Sequence, residues 1–306
     1  MNIQIITDST SDIPPKRLND LPITVVPLYI TLNGKSYLDN VDLSREEFYN
    51  ALPESEPYPT TATPAPHQFE EFFEQVAADG ADAIISIHIS ETLSATFQSA
   101  QTAAKNFDRI PVRVVDSGNL SMAEGLVVIK AAEAAKAGKS LEEVMSVIEQ
   151  VIPRTHAFAK LDTIDYLHRG GRMSSIQHSI VSILGIKPIL KMNNHVSRME
   201  IARTKSKAFD RVLQVAREAL PHAEIFGITH ANVPEQVDDL VKELKSIYPD
   251  MPAPLISDVT PSLGVHVGPG ALCINWVCEP GYQEEKKGLQ KWISDHIPGM
   301  GSQRDE

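Results

Sequence analysis

The stretch "ISIHISETLSATFQSAQTAAKNF", residues 85–107, contains the pattern that decides the fold. It begins with the mostly apolar residues of a buried strand and ends with the spacing of a helix. Four hydroxyl side chains stand between the two parts: Ser90, Thr92, Ser94 and Thr96. A buried strand that passes through a turn into a helix is the repeating unit of parallel α/β sheets. The stretch therefore predicts a parallel sheet with hydroxyl groups along one edge.

The first half of the chain repeats this alternation of strand and helix. Apolar runs occur at "IQIITD" (3–8), "ITVVPLYI" (23–30), "ADAIISIHI" (81–89) and "VRVVDS" (112–117). Helical patterns cover residues 67–78, 94–107, 121–137 and 141–152. Residues 1–153 are therefore predicted to form an α/β/α domain with a parallel sheet.

The second half has a different pattern. A strand-like run at "HAFAKL" (156–161) is followed by a glycine-broken segment, by a hairpin pattern at "KMNNHVSRMEIAR" (191–203), and by helices and strands that end in "GPGALCINWV" (268–277). Residues 154–283 are predicted to form a smaller α+β domain, and residues 284–306 a polar tail. The fold class is thus α/β in two domains.

Composition and charge limit the classes of partner. The chain has 306 residues and a formal net charge of −12, and its lysines and arginines form no block. A phosphate backbone is bound through clustered positive charge, which this negatively charged chain lacks, so nucleic acid is not an expected partner. The N-terminus lacks the pattern of a secretory signal, and no apolar run has the length of a membrane span. We expect a cytoplasmic protein with no integral membrane association.

Motifs of common catalytic and metal sites are missing from the sequence. The run "EAAKAGKS" (133–140) resembles a phosphate-binding loop, but Glu133 stands where its first glycine belongs. Asp8 and Asp116 are the only carboxylates expected at strand ends, too few for a magnesium site. Cys273 and Cys278 have neither redox nor zinc spacing and are expected to be core thiols. We expect no metal, no cofactor and no catalysis, which favours a binding protein.

Hydroxyl clusters follow three of the predicted strands, at residues 7–12, 90–94 and 115–121, and a fourth precedes a helix at 59–66. Ligands of open parallel sheets bind beyond the carboxyl ends of the strands. Hydroxyls beside free helix N–H groups suit an oxygen anion. Each cluster alone is best explained as a helix cap, and it is their convergence on one sheet edge that indicates a site.

Two later segments add positive charge. Arg172 follows the paired glycines of "LHRGGRMSS" (167–175), where a sharp turn can hold its guanidinium at an inner edge. His266 lies in "GVHVGPGA" (264–271), which we interpret as a loop whose glycines let the backbone approach a ligand. The alternatives are an exposed loop arginine and a structural histidine.

These motifs, taken in order, resemble the DegV family. The resemblance is carried by "TDSTSD", "TATPAP", "SETLSATFQSA", "VDSGNLSMAEG", "LHRGGRMS", "IKPIL" and "GVHVGPGA", and it spans residues 3 to about 277. It implies a two-domain fatty-acid-binding protein with the ligand between the domains. Some members of the family are binding subunits of a fatty acid kinase, in which a separate subunit phosphorylates the bound carboxylate.

The resemblance also implies roles for five residues. Thr61 and Ser94 would hold the carboxylate, Arg172 and His266 would close the site from the second domain, and Arg203 would engage the kinase. The family's Thr-Ser-Gln-Pro reads Thr-Ala-Thr-Pro at 61–64, and its Ser-Gly-Thr reads Ser-Ala-Thr at 94–96. The main contacts remain, while the preferred chain length or head group is left open.

The expected function is therefore to bury the acyl chain of a long-chain fatty acid and to present its carboxylate to a partner kinase. Candidate walls for the acyl chain are residues 126–129 and 176–186. Two alternatives stay open. One is an acyl hydrolase or transferase that uses Ser94 as nucleophile and His266 as base. The other is a binder of another small anionic lipid.

Overall fold

The computed structural model describes residues 1–173, 185–193 and 196–282. Its strands are β1 (Ile3–Asp8), β2 (Ile23–Val26), β3 (Tyr29–Leu32), β4 (Lys35–Leu38), β5 (Thr60–Ala62), β6 (Ala83–His88), β7 (Val112–Asp116), β8 (Thr155–Lys160), β9 (Lys187–Met192), β10 (Val196–Ala202), β11 (Ala223–His230), β12 (Leu255–Asp258) and β13 (Leu272–Cys278). Its helices are α1 (Pro15–Asp20), α2 (Arg45–Ala51), α3 (Pro66–Ala78), α4 (Thr96–Asn106), α5 (Ser121–Lys136), α6 (Leu141–Val151), α7 (Asp165–Arg169), α8 (Lys205–Ala219), α9 (Pro234–Ile247) and α10 (Pro261–Val267). The tail predicted over 284–306 lies outside the described residues.

A parallel sheet in the order β2-β1-β6-β7 confirms the prediction from residues 85–107. All six residues of β6 are buried, because helices cover both faces of a central parallel strand. The segments that follow β1, β6 and β7 leave the sheet at the same edge. The hydroxyl clusters therefore meet there, as the sequence predicts.

The run "ITVVPLYI" is two strands, so its prediction as one parallel strand is wrong. It divides at Pro27, which has no N–H to donate to a sheet ladder. The residues before Pro27 form β2 of the parallel sheet, whereas those after it form β3 of a three-stranded antiparallel sheet in the order β4-β3-β5. This small sheet carries Thr61 on β5.

The second half forms a mixed sheet in the order β10-β9-β8-β13-β11-β12. Its neighbours pair antiparallel except β11 and β12, and the β9-β10 pair confirms the predicted hairpin. Cys273 and Cys278 lie on β13 with buried side chains, which confirms them as core residues. The mixed sheet has six strands against four in the parallel sheet, although its domain is predicted to be the smaller one.

Helix α5 packs between the parallel and the mixed sheet, touching β1 on one side and β8, β11 and β13 on the other. Contact with both sheets explains why 13 of its 16 residues are buried, the exceptions being Lys130, Glu133 and Lys136. A Cβ on Gly125 would lie 2.3 Å from the carbonyl oxygen of Ser11, so glycine permits the close approach of α5 to that turn. The two sheets therefore share one core, and the boundary at residue 153 remains a prediction.

Candidate ligand-binding site

Two adjoining cavities lie at the polar edge of the parallel sheet. The outer cavity has a volume of about 80 Å³ and the inner one about 70 Å³. Each is several times the roughly 10–15 Å³ that one water molecule needs. They share four apolar wall residues: Leu120, Leu190, Leu263 and Val267. An elongated molecule that parted these side chains would extend from one cavity into the other.

The outer cavity brings together four residues that are far apart in the sequence. Thr61 comes from β5, Ser94 from the turn before α4, Arg172 from the turn after α7, and His266 from α10, and all four line this cavity. Arg203 lies elsewhere, exposed between β10 and α8. The sequence therefore predicted which residues share a cavity, and their contacts with a ligand remain a prediction.

His266 is paired with Thr61 across the cavity wall, with 3.1 Å between Nε2 of the imidazole and Oγ1 of the threonine. Burial and the neighbouring positive charge of Arg172 lower the pKa of His266 to about 4. The ring is therefore neutral at physiological pH. In the tautomer with its proton on Nε2, the neutral imidazole donates to Thr61 and leaves the threonine proton free for a ligand, whereas in the other tautomer Thr61 donates to the ring.

The segment around His266 is a helix and not a loop, so that part of the prediction is wrong. The last turn of α10 presents the imidazole, and the helix ends at Gly268 with a φ of +69°. A Cβ at Gly268 would lie 2.1 Å from the ring of Tyr166, and one at Gly270 would lie 2.5 Å from the carboxyl group of Asp162. These glycines permit close packing within the protein, where we had expected an approach to a ligand.

Gly170 is a site residue that sequence reasoning missed. A Cβ there would lie 2.3 Å from Nδ1 of His266, so any other residue would push the imidazole from its place. The signal was present in the paired glycines before Arg172, which we had linked to the arginine alone. Arg172 donates from Nε to the carbonyl oxygen of Leu93 and from a terminal nitrogen to that of Gly170, both at 3.3 Å. These contacts hold the half-buried guanidinium at the cavity edge.

Ser94 belongs to the turn before α4 and is not the N-cap of that helix, which is Ala95. Its Oγ accepts from the backbone N–H of Thr96 at 3.3 Å and lies 2.8 Å from the hydroxyl of Thr96. It also lines the outer cavity. Ser94 pairs with Thr96 whereas His266 pairs with Thr61, so the nucleophile and base of a hydrolase are not joined to each other.

Four carboxyl groups are buried behind the outer cavity: Asp8, Asp12, Asp39 and Glu124. Sequence reasoning singled out only Asp8. Burial alone would raise the pKa of Asp8, but the hydrogen bond and charge of His88, 3.0 Å away, outweigh it and lower that pKa. Burial and the negative charge of Asp8 raise the pKa of Glu124 well above its usual range. This layer therefore contains both ionised and protonated carboxyl groups.

Asp12 and Asp39 complete this layer. Burial raises the pKa of Asp12 to about 7 although Arg45 lies 3.7 Å from its carboxylate. Burial also raises the pKa of Asp39, against the hydrogen bonds that Ser262 and two other hydroxyls donate to it. All four acids are held by hydroxyl groups near the polar edge of the sheet.

The inner cavity is apolar apart from two hydroxyls and a thiol. Its walls are the facing side chains of the mixed sheet, among them Ala157, Ala159, Met192 and Cys273. Burial raises the pKa of Cys273 to about 12, so the thiol stays neutral and adds no charge. The predicted acyl walls differ from these. Residues 126–129 are core of α5, and residues 176–184 lie outside the described residues.

A family model described as an uncharacterised protein of the DegV family matches residues 2–279. A DegV domain-containing protein of Listeria innocua is 37% identical over 277 residues, which are 90% of this chain and 98% of that protein. This chain belongs to the DegV family. The family resemblance noted in the sequence is thereby confirmed.

Solved structures of DegV proteins share the fold. The crystal structure of DegV from Bacillus subtilis, described as a fatty acid binding protein, matches with a TM-score of 0.83 and 32% identity over 91% of this chain and 100% of that one. A DegV family protein from Thermus thermophilus, described by its fatty acid binding, matches with a TM-score of 0.81 and 30% identity over 91% and 100% of the two chains. The predicted α/β fold class is confirmed by these matches.

Within residues 1–173, 185–193 and 196–282, no group of three or more His, Cys, Asp or Glu side chains is arranged to hold a metal ion. Within the same ranges, no helix has the length and apolar character needed to cross a membrane.

Proposed function

We propose that this DegV-family protein binds a long-chain fatty acid, with the carboxylate in the outer cavity and the acyl chain directed into the inner one. The observation that carries the proposal is the junction of the two cavities. The outer chamber, which contains the polar side chains of Thr61, Ser94, Arg172 and His266, shares apolar walls with a chamber formed mostly by aliphatic and sulfur side chains. Such a junction fits a molecule with one polar end and one apolar end.

Burial of the acyl chain supplies most of the binding free energy. Each methylene removed from water contributes about 0.8 kcal/mol, so a chain of about fourteen methylenes gains roughly 11 kcal/mol before the costs of association. The head group then needs orientation more than strong attraction. Hydroxyl donors in the outer cavity are sufficient for that purpose.

The head group is held by neutral donors together with one cation. His266 donates to Thr61, and Thr61 and Ser94 donate to the carboxylate, while Arg172 lies at the cavity edge. Binding through hydroxyls leaves one carboxylate oxygen without a full ion pair, and that oxygen can attack a phosphate donor. We therefore extend the proposal to a non-catalytic cytoplasmic subunit that presents its ligand to a fatty acid kinase subunit.

The surface around Arg203 supports a docking role. Arg203 is exposed, and Ile201 beside it is 48% exposed. Lys205 and Lys207 follow within the exposed first turn of α8. An apolar residue among cations fits an interface with an acidic partner, and Arg203 would be part of that interface.

Mass spectrometry of an organic extract from the purified, denatured protein tests the proposal. We expect a free fatty acid in a ratio near one per chain, either as purified or after incubation with mixed fatty acids. An empty extract after that incubation would contradict the proposal. A different anionic lipid in the extract would favour the alternative binder, and turnover of acyl esters by the protein alone would favour the hydrolase.

A further inference from the structure

The outer cavity has two further hydroxyls, Thr10 and Ser262, that face it from the side of the buried acids. Ser262 donates to Oδ2 of Asp39 at 2.5 Å. The hydroxyls of Ser9 and Thr260 donate to the same oxygen, each at 2.7 Å. A carboxylate oxygen that accepts hydrogen bonds from three hydroxyls acts only as an acceptor. The proton of Ser262 is therefore directed away from the cavity.

Thr10 lies between two carboxyl groups, with its Oγ1 2.5 Å from Oδ1 of Asp8 and 3.0 Å from Oε2 of Glu124. A hydroxyl has a single proton, so it cannot donate to both. Both contacts are satisfied if Glu124 is protonated and donates to Thr10, and if Thr10 donates to the ionised Asp8. The opposite directions in which the pKa values of these two acids are displaced support it. The proton of Thr10 also points into the acid layer.

Thr61 has the opposite environment although it lines the same cavity. Its Oγ1 is 3.1 Å from Nε2 of a neutral imidazole. We assign the ring proton to Nε2, from which the imidazole donates to Thr61. No carboxylate competes for the Thr61 proton among the hydrogen bonds of the described residues. Two threonines of one chamber are thus polarised in opposite directions by the groups behind them.

We propose that Asp39, Asp8 and Glu124 are positioning residues that make Thr10 and Ser262 an acceptor wall, which confines the bound carboxylate to the opposite donor wall. The donor wall consists of Thr61, Ser94 and Arg172. This inference rests on the proposed function and deepens it, because it states how the head group is oriented and selected. Lone pairs on the acceptor wall repel a carboxylate, but they accept a hydrogen bond from a neutral head group such as an alcohol.

Matched threonine-to-valine substitutions test the proposal, because valine keeps the shape and removes the hydroxyl. Affinities of wild type, T61V and T10V are measured for hexadecanoate and for hexadecanol by titration calorimetry. We expect T61V to lower hexadecanoate affinity about tenfold or more, since a hydrogen bond to a charged group is lost. We expect T10V to raise hexadecanoate affinity, because the lone pairs that repel the carboxylate are removed, and to lower hexadecanol affinity. The preference for hexadecanoate over hexadecanol should therefore fall in T61V and rise in T10V.

Ser262→Ala provides a second variant on the acceptor wall, in case loss of Thr10 disturbs the buried acids. It should also raise the preference for hexadecanoate, a change that general destabilisation does not produce. If T10V and S262A lower the preference as T61V does, or leave it unchanged, both walls act alike and the inference is wrong. If the variants give this result but the wild type binds hexadecanoate, the proposed function stands and only the inference about the two walls fails. If wild type binds neither ligand, the proposed function fails together with the inference.

Discussion

The outer and the inner cavity share four wall residues but differ in what lies behind their walls. Behind the outer cavity are a neutral imidazole and four buried carboxyl groups, so each hydroxyl has a defined direction. Behind the inner cavity are apolar side chains of the mixed sheet, and the thiol there is neutral. The outer cavity can discriminate between ligands by the chemistry of their head groups, whereas the inner cavity can discriminate between them only by the volume of their acyl chains. Head-group and chain-length selection should therefore be separable by mutation.

The largest effect is expected from loss of the head-group donors. In a Thr61→Ala, Ser94→Ala double variant, two hydrogen bonds to a charged group are lost, each worth about 1.5 kcal/mol or more. Fatty acid affinity should fall by about 3 kcal/mol, which is more than a hundredfold, and by the same factor for every chain length. Titration calorimetry with a series of fatty acids checks this.

Thr102→Ala is the matched control for this series. Thr102 lies on the exposed face of α4, where its hydroxyl donates to the carbonyl oxygen of Gln98. Its loss should leave affinity unchanged. An unchanged affinity in the double variant as well would show that Thr61 and Ser94 do not hold the carboxylate.

The next largest effect is expected from filling the inner cavity. Ala157→Leu adds three carbons to the wall and displaces a similar length of acyl chain. At about 0.8 kcal/mol per methylene, hexadecanoate should lose about 2 kcal/mol, roughly thirtyfold in affinity. Decanoate, which is shorter, should lose little, and its retained binding is the internal control for folding. Equal losses for both ligands would mean that the chain does not enter this cavity.

A smaller effect, up to about 1.4 kcal/mol per pH unit, should appear in stability. The pKa of His266 falls from 6.5 to about 4 on folding, so the unfolded chain binds more protons between these values and stability rises with pH. The pKa of Asp12 rises from 3.8 to about 7, so stability falls as pH increases through that window. Urea unfolding at several pH values between 4 and 6.5 measures both slopes.

His266→Gln should make the slope of unfolding free energy against pH less positive, and Asp12→Asn should make it more positive. The two variants therefore move the slope in opposite directions. Equal changes in both variants, or none, would contradict the opposite displacements of the pKa values of His266 and Asp12.

The smallest effect on ligand binding is expected at Arg203, which lines neither cavity. Arg203→Ala should keep hexadecanoate affinity within about twofold, because surface substitutions rarely change such free energies by more than about 0.5 kcal/mol. With a fatty acid kinase subunit present, the same variant should slow phosphorylation of the bound acid. A loss of hexadecanoate affinity would place Arg203 in the binding site and not at an interface.

The sequence predicted the local elements well because strand and helix periodicity are local properties. Residues 85–107 formed β6 and α4 as expected, and the four predicted helices of the first half began and ended within two residues of their predicted bounds. The short helices α1 and α2 were not predicted. The prediction failed at Pro27, where one predicted strand is divided into β2 and β3, which belong to different sheets. It also failed at α10, because the glycines of this segment led us to predict a loop. A strand's partner depends on contacts that periodicity does not report.

The site was predicted unevenly for a similar reason. Thr61, Ser94, Arg172 and His266 were found through family motifs, and the structure places them around one cavity. The buried acids were missed because aspartate and glutamate are usually exposed, and nothing local marks Asp39 or Glu124 as buried. Their role arises from hydrogen bonds to residues as many as 223 positions away. Only the folded chain brings these groups together.

A crystal structure of the protein with hexadecanoate brominated at its terminal carbon would show most directly which cavity holds which end. Anomalous scattering locates the bromine without ambiguity. We predict the bromine beyond the shared leucines, near Met192 and Cys273 of the inner cavity, and the carboxylate within hydrogen-bonding distance of Thr61 and Ser94. A bromine beside Thr61, or a ligand bound outside the two cavities, would contradict this account.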